Sequence, residues 1–219
     1  MDVGILGGTG PAGQALAARL ASAGVAVVLG SRSAERATEA CETIRKRWPE
    51  LDLPLAPGGN ADAARAGLVV VATPWDAAAA TAASVAAELD GKVVVSMANA
   101  LARVDGEFRP VVPPEGSVAV AVQQAVPRAL VAAAFHHLPA RSLADLSRPM
   151  TGDVLVCAGS PAAADATADL VRRIPDLRPL QAGSLANAAP IEELTAVLLE
   201  VNRRYKMRAT IRLVGHEGP

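Results

Sequence analysis

Gly7-Gly8-Thr9-Gly10-Pro11-Ala12-Gly13 follows at once on the apolar run Val3-Gly4-Ile5-Leu6. Gly8, Gly10 and Gly13 fit the spacing G-x-G-x-x-G, with a strand before it and a helical pattern after it. In that setting the first glycine permits a tight turn and the second lets backbone approach a pyrophosphate. The third lets helix and strand pack closely. The helix start supplies unpaired N–H groups and a partial positive charge for the phosphates. Thr9 and Ala12 lie within the turn. Pro11 suits a first helical position but removes one amide that could face a phosphate.

Outward from this turn, Val-rich runs alternate with Ala-rich helical stretches, the pattern of βα units and a parallel sheet. Val3 to Leu6 is the first predicted strand, and Gly13 to Ala23 a helix closed by Gly24. Val25 to Leu29 is the second strand, and Ala34 to Trp48 a charged helix stopped before Pro49. Leu53 to Ala56 is a weak third strand. Pro57-Gly58-Gly59 marks a turn, and Asn60 caps a short helix. Leu68 to Ala72 is a fully buried strand, and a helix runs from Thr73-Pro74 to about Leu89. Further strands are expected at Val93 to Val95, Leu130 to Phe135, Val154 to Val156 and Leu177 to Leu180. Helices are expected at Pro161 to Arg173 and Pro190 to Lys206. The fold class is therefore α/β: a Rossmann-type, mostly parallel sheet with helices on both faces and a short C-terminal helical extension. Residues 1–140 form the nucleotide-binding core. Residues 141–219 extend the sheet and complete a second pocket.

Composition agrees. Hydrophobic residues make up 51% of the 219 residues and aromatics 2%, so the core is built from Val, Leu, Ile and Ala, as in buried parallel strands. So few aromatics do not favour a stacking surface for single-stranded nucleic acid. A formal charge of -1 advertises neither DNA nor an anionic membrane. The stretch from Asp76 to Asp90 is too polar to span a bilayer. Cys41 and Cys157 match no metal spacing and are read as reduced core thiols. With no secretory pattern after Met1-Asp2, a cytoplasmic protein is expected.

At the end of the second strand, an NAD site carries Asp or Glu about twenty residues beyond the turn, for the ribose 2′-hydroxyl. Here the segment is Gly30-Ser31-Arg32-Ser33, with Arg36 one helical turn on. No carboxylate there repels a 2′-phosphate, and two guanidinium groups suit one by charge and forked geometry. The cofactor predicted is NADP. Ser33 also suits the cap of the second helix, a role compatible with phosphate binding.

The catalytic inventory is short. The single tyrosine, Tyr205, has Ala209 rather than Lys four residues on, so a Y-x-x-x-K pair is absent. No G-x-S-x-G elbow and no metal-ligand cluster is present. His136 and His137 are the acid–base candidates, at a strand end. His136 reads better as a packed residue, and His137 as one touching substrate.

The segments Gly7–Gly13, Gly30-Ser31-Arg32, Thr73-Pro74-Trp75, Phe135-His136-His137-Leu138-Pro139-Ala140 and Leu177-Arg178-Pro179-Leu180-Gln181-Ala182-Gly183 together resemble the NADPH-dependent F420 reductases. The likeness extends from Met1 to about Val214. The resemblance implies hydride transfer between NADP and the deazaflavin coenzyme F420, which serves as substrate. It implies that Thr9, Gly10, Pro11 and Ala12 meet the pyrophosphate, and Ser31, Arg32 and Arg36 the 2′-phosphate. Thr73, Pro74, Trp75 and Ala79 would lie beside the nicotinamide, with Ala140 and Met207 bordering the two-ring pocket. Small residues such as Ala72, Ala98 and Ala140 would allow the rings a close approach. Direct transfer between stacked rings needs positioning and exclusion of water rather than a protein nucleophile, so no catalytic side chain is assigned. Pro11 stands where the family often has Asn, and His137 where it often has Thr. The coenzyme's acidic tail calls for a basic rim. Arg203, Arg204, Lys206 and Arg208 could form it, or simply balance the last helix's dipole.

Two other functions use the same beginning: an NADPH-dependent reductase of a small imine or keto acid, and a non-catalytic NADP sensor. The reductases usually need a long helical second domain, for which few residues remain after Gly183. A homodimer through the apolar positions Leu194, Val197, Leu198 and Val201 is a further expectation. Those spacings equally describe a helix packed on its own sheet.

Overall fold

A computed structural model describes residues 1–215. Five βα steps build the first part of the sheet: β1 (Asp2–Leu6), β2 (Ala26–Ser31), β3 (Leu55–Gly59), β4 (Leu68–Val71) and β5 (Val93–Ser96). β8 (Leu130–Ala133), β9 (Gly152–Ala158) and β10 (Leu177–Gln181) extend it to eight strands in the order β10-β9-β8-β5-β4-β1-β2-β3. All neighbours run parallel except β8 and β9, which pair antiparallel through Ala132↔Ala158 and Ala133↔Cys157. Strand order reverses between β1 and β4, so the loops at their carboxyl ends diverge. That crevice is where open α/β sheets bind ligands.

Strand residues alternate between two cores. Val3, Ile5, Val27 and Val70 face α1 (Pro11–Ser22), α2 (Ala34–Arg47) and α7 (Pro161–Arg172). Leu6, Val69, Val71 and Val94 face α3 (Asn60–Ala64), α4 (Trp75–Ala83), α5 (Val118–Ala125) and the start of α8 (Ala188–Tyr205). Serine hydroxyls cap three of these helices: Ser33, Ser117 and Ser160 accept from the N–H groups of Arg36, Val120 and Ala163.

Several expectations change. Pro57-Gly58-Gly59 is not a turn but the second half of β3, paired with Leu29, Gly30 and Ser31. As an edge strand, β3 tolerates a proline that cannot donate to a further neighbour. Asn60 is the first residue of α3, not its cap. Gly59 holds the cap position, and the Asp62 carboxylate accepts its N–H at 2.9 Å. α4 ends at Ala83 rather than near Leu89, and β8 ends at Ala133, two residues short of Phe135. A hairpin of β6 (Leu101–Val104) and β7 (Glu107–Pro110), together with α5 and the short α6 (Ala140–Leu143), had not been foreseen. On α8, Leu194 and Val197 are exposed, whereas Leu198 and Val201 are half-buried. No helix among the described residues is long and apolar enough to cross a membrane.

Candidate functional site

The glycine turn is built by packing on three of its four glycines. Gly7 has φ +62°, and a Cβ there would sit 2.2 Å from Thr73 Cγ2. A Cβ on Gly8 would crowd Leu29 and Ile5, and one on Gly13 would lie 2.7 Å from the Gly8 backbone. Gly10 differs. It is the N-cap of α1 with φ −74° and ψ 164°, open to any residue, and a Cβ there would meet nothing within 4 Å. No protein neighbour requires that glycine, and the space it leaves opens on a cleft.

This cleft, about 440 Å³, lies at the carboxyl ends of β1, β2 and β4. Thr9 and Gly10 form its floor, and Ser31, Arg32 and Arg36 one end. Ala72, Thr73 and Pro74 form the other. Among the described residues no carboxylate lines it. Glu35, the nearest in sequence, accepts from Ser33 Oγ at 2.6 Å. Among the described residues neither Arg32 nor Arg36 is in an ion pair. The Thr73 hydroxyl is buried on the cleft wall without a hydrogen-bond partner, an unmet polar group that a ligand can satisfy. These residues therefore suit a phosphorylated dinucleotide: open amides at a helix start, two free guanidinium groups, and one orphaned hydroxyl.

Three lining residues escaped the sequence reading. Asn60 Oδ1 accepts the Gly7 N–H at 3.1 Å and so ties α3 to the turn. Ala77 and Thr81, four apart on α4, share the face that meets the cleft. Ala79 was expected there, but it lies two residues from each and points elsewhere. Trp75 packs half-buried against the α4–α5 core, and Ala98 is a buried member of that core; neither is on the cleft wall. Pro11 faces a groove on the far side of the turn, between α1, α2 and α6, which includes Ala140, Arg141 and Arg208.

A second pocket, about 620 Å³, opens between α6 and the end of α8. Ala140 and Met207 line it together with Arg203, Lys206 and Arg208. Arg204 is not on its wall. Arg141, Leu199 and Asn202 also line it and were not foreseen. Arg203 is paired with Glu200, and Arg208 with Asp145 at 3.4 Å. Lys206 ends α8 in the left-handed region, φ 51°, which turns the chain into the segment bearing Met207.

Both rings of the pair His136–His137 are buried, and of their four nitrogens His136 Nδ1, His136 Nε2 and His137 Nδ1 have no hydrogen-bond partner. His137 is 3% exposed, and its Nε2 accepts the Leu155 N–H at 3.1 Å. β8 has diverged from β9 at this level, and the imidazole fills a place that a strand carbonyl would occupy. His137, expected to touch substrate, lines neither the cleft nor the pocket of Ala140 and Met207. The next outward-facing β9 amide, Asp153 N–H, is taken by Ile211 O at 2.8 Å. The Asp153 carboxylate in turn accepts from Leu213 N–H and, at 2.8 Å twice, from Arg178. Thus the particular histidine and arginine motifs hold β9 and the C-terminal segment that carries Met207 and Arg208. Burial pushes the His137 imidazole down to about 4 and His136 to about 3, so both are neutral near pH 7.

Residues 2–100 match the family model described as NADP oxidoreductase coenzyme F420-dependent. The chain is 36% identical to the F420-dependent NADP reductase of Methanocaldococcus jannaschii, over 99% of this chain and 100% of that one. It is 33% identical to that of Methanothermobacter marburgensis, over 97% and 98%. A crystal structure of a putative F420-dependent NADP reductase from Arthrobacter sp. FB24 superposes with a TM-score of 0.81 at 26% identity, covering 99% of this chain and 100% of that one. The chain belongs to the family of F420-dependent NADP reductases.

Proposed function

We propose that this chain transfers hydride between NADP(H) and coenzyme F420. NADP lies along the glycine turn, with its pyrophosphate at Thr9, Gly10 and the first amides of α1, and its 2′-phosphate at Ser31, Arg32 and Arg36. Thr73 and Pro74 border its nicotinamide end. The deazaflavin occupies the pocket of Ala140 and Met207, under a rim of Arg141 and Lys206. Residues 1–140 thus carry the dinucleotide, and residues 141–219 complete the second site. With both bound, the nicotinamide would supply the hydride to C5 of the deazaflavin, whose ring nitrogen would take a proton from solvent; the reverse reaction would return both. The protein's part is to hold the rings and exclude water. The buried, free thiols Cys41 and Cys157 suit a cytoplasmic setting. The same reading includes a homodimer through the exposed Leu194–Val197 side of α8.

The observation that carries this reading is the open space at Gly10, beside two arginines that among the described residues are unpaired and face no carboxylate. Anaerobic mixing of NADPH, protein and F420 tests it. The visible band of F420 is expected to bleach with turnover, faster than with NADH, while flavin mononucleotide remains oxidised. Binding of NADPH without bleaching of F420 would make the protein a sensor and defeat the proposal.

A further inference from the structure

Arg19 stands about two and a half turns beyond Gly10 on α1 and is only 7% exposed. Among the described residues no carboxylate accepts from it. Its guanidinium donates to four main-chain carbonyls instead: Nε to Leu143 at 3.0 Å, Nη1 to Arg148 at 3.1 Å, and Nη2 to Ser142 at 2.7 Å and Asp145 at 2.6 Å. These acceptors are the last turn of α6 and the loop after it; the Ser142 and Asp145 carbonyls also accept from the Asp145 and Arg148 N–H groups at 3.2 and 3.4 Å, so the guanidinium ties together carbonyls of a turn that is itself hydrogen-bonded. Burial works against the charged form, and an aliphatic side chain would avoid that cost. What an aliphatic side chain cannot supply is a rigid planar fork that fixes four carbonyls at once.

α6 begins with Ala140 and Arg141, which line both the second pocket and the groove against α1. One side chain therefore joins the helix of the glycine turn to the wall of the other site. We infer that Arg19 is a positioning residue, setting the separation of α1 and α6 so that the deazaflavin wall keeps its place relative to the bound dinucleotide. The inference rests on the reading of the two pockets given above.

Two variants and two readouts test it. In Arg19→Met, hydrogen exchange at residues 142–148 is expected to quicken by about tenfold or more, with β1 to β5 unchanged. The KM for F420 should rise about tenfold while the Kd for NADPH stays within about twofold. Arg19→Lys, which keeps the charge and some donors, should fold even if Arg19→Met does not, and should show the same split to a smaller degree. Unchanged exchange at 142–148 in both variants would overturn the inference. So would an equal rise of the F420 KM and the NADPH Kd, the mark of general loosening. If the wild type fails to reduce F420, the functional reading falls, and the exchange comparison still decides whether Arg19 holds α6.

Discussion

Gly10 and Gly13 lack a side chain for opposite reasons, and two substitutions separate them. A Cβ on Gly13 would press on the Gly8 backbone at 2.7 Å, whereas one on Gly10 would enter open space. Gly13→Ala should therefore cost about 1–3 kcal/mol of stability through overpacking, visible as a lower urea midpoint. Gly10→Ala should change stability by less than about 1 kcal/mol yet weaken NADPH binding about tenfold or more, measured by nucleotide fluorescence. The reverse pattern would mean that the turn serves packing alone. Such glycines are legible in sequence because close approach leaves no alternative residue. His137 was not, because a histidine at a strand end looks alike whether it faces substrate or accepts a strand amide. Only the divergence of β8 from β9, a tertiary event, decides between them. Ala79 failed for a simpler reason: α4 turns its 77/81 face to the cleft.

Among the elements, the end of β8 and the start of α8 set how the fold responds to pH. Phe135, fully buried, takes φ +64°, a strained conformation for an aromatic residue that costs about 1–3 kcal/mol. The resulting bend presents the His136 carbonyl to Asn99 Nδ2 at 2.8 Å and Thr195 Oγ1 at 3.4 Å, and leaves both histidine rings buried. On α8, buried Glu192 accepts from the Val118 and Ala119 N–H groups at the start of α5, and burial pushes its carboxyl up to about 7. Unfolded histidines bind a proton near 6.5, the folded pair only near 3 and 4. Acid therefore favours the unfolded chain, and stability falls from about pH 6.5 toward 4. Glu192 acts in the opposite sense, since the folded state is the more protonated between 4.5 and 7. Each group is worth about 2 kcal/mol between pH 7 and 5, so two imidazoles against one carboxyl leave the wild type about 2 kcal/mol weaker at pH 5. His136→Leu should bring the two pH values nearly level in urea titrations. An undiminished difference would place the acid sensitivity elsewhere. The β6–β7 hairpin did have a signal in the sequence: Asp105-Gly106, both at positive φ, is a two-residue hairpin turn. α5 was hidden because Val118, Val120 and Val122 alternate like a strand, and only the Ser117 cap and the cover of α8 make the segment helical.

For the whole molecule, the strand order β3-β2-β1-β4-β5 was implicit in the βα alternation of the first hundred residues. The antiparallel step from β8 to β9 was not, since a short buried run carries no mark of its direction. That step matters. It opens the gap that His137 and the C-terminal segment fill, and so brings Met207 and Arg208 to the second pocket. This framework is suited to direct passage of hydride from C4 of the nicotinamide to C5 of the deazaflavin. The decisive measurement mixes NADPH deuterated at the transferred position of C4 with F420 and the protein in ordinary water. The deuterium is expected at C5 of reduced F420; hydrogen from water there instead would rule out direct transfer between the rings.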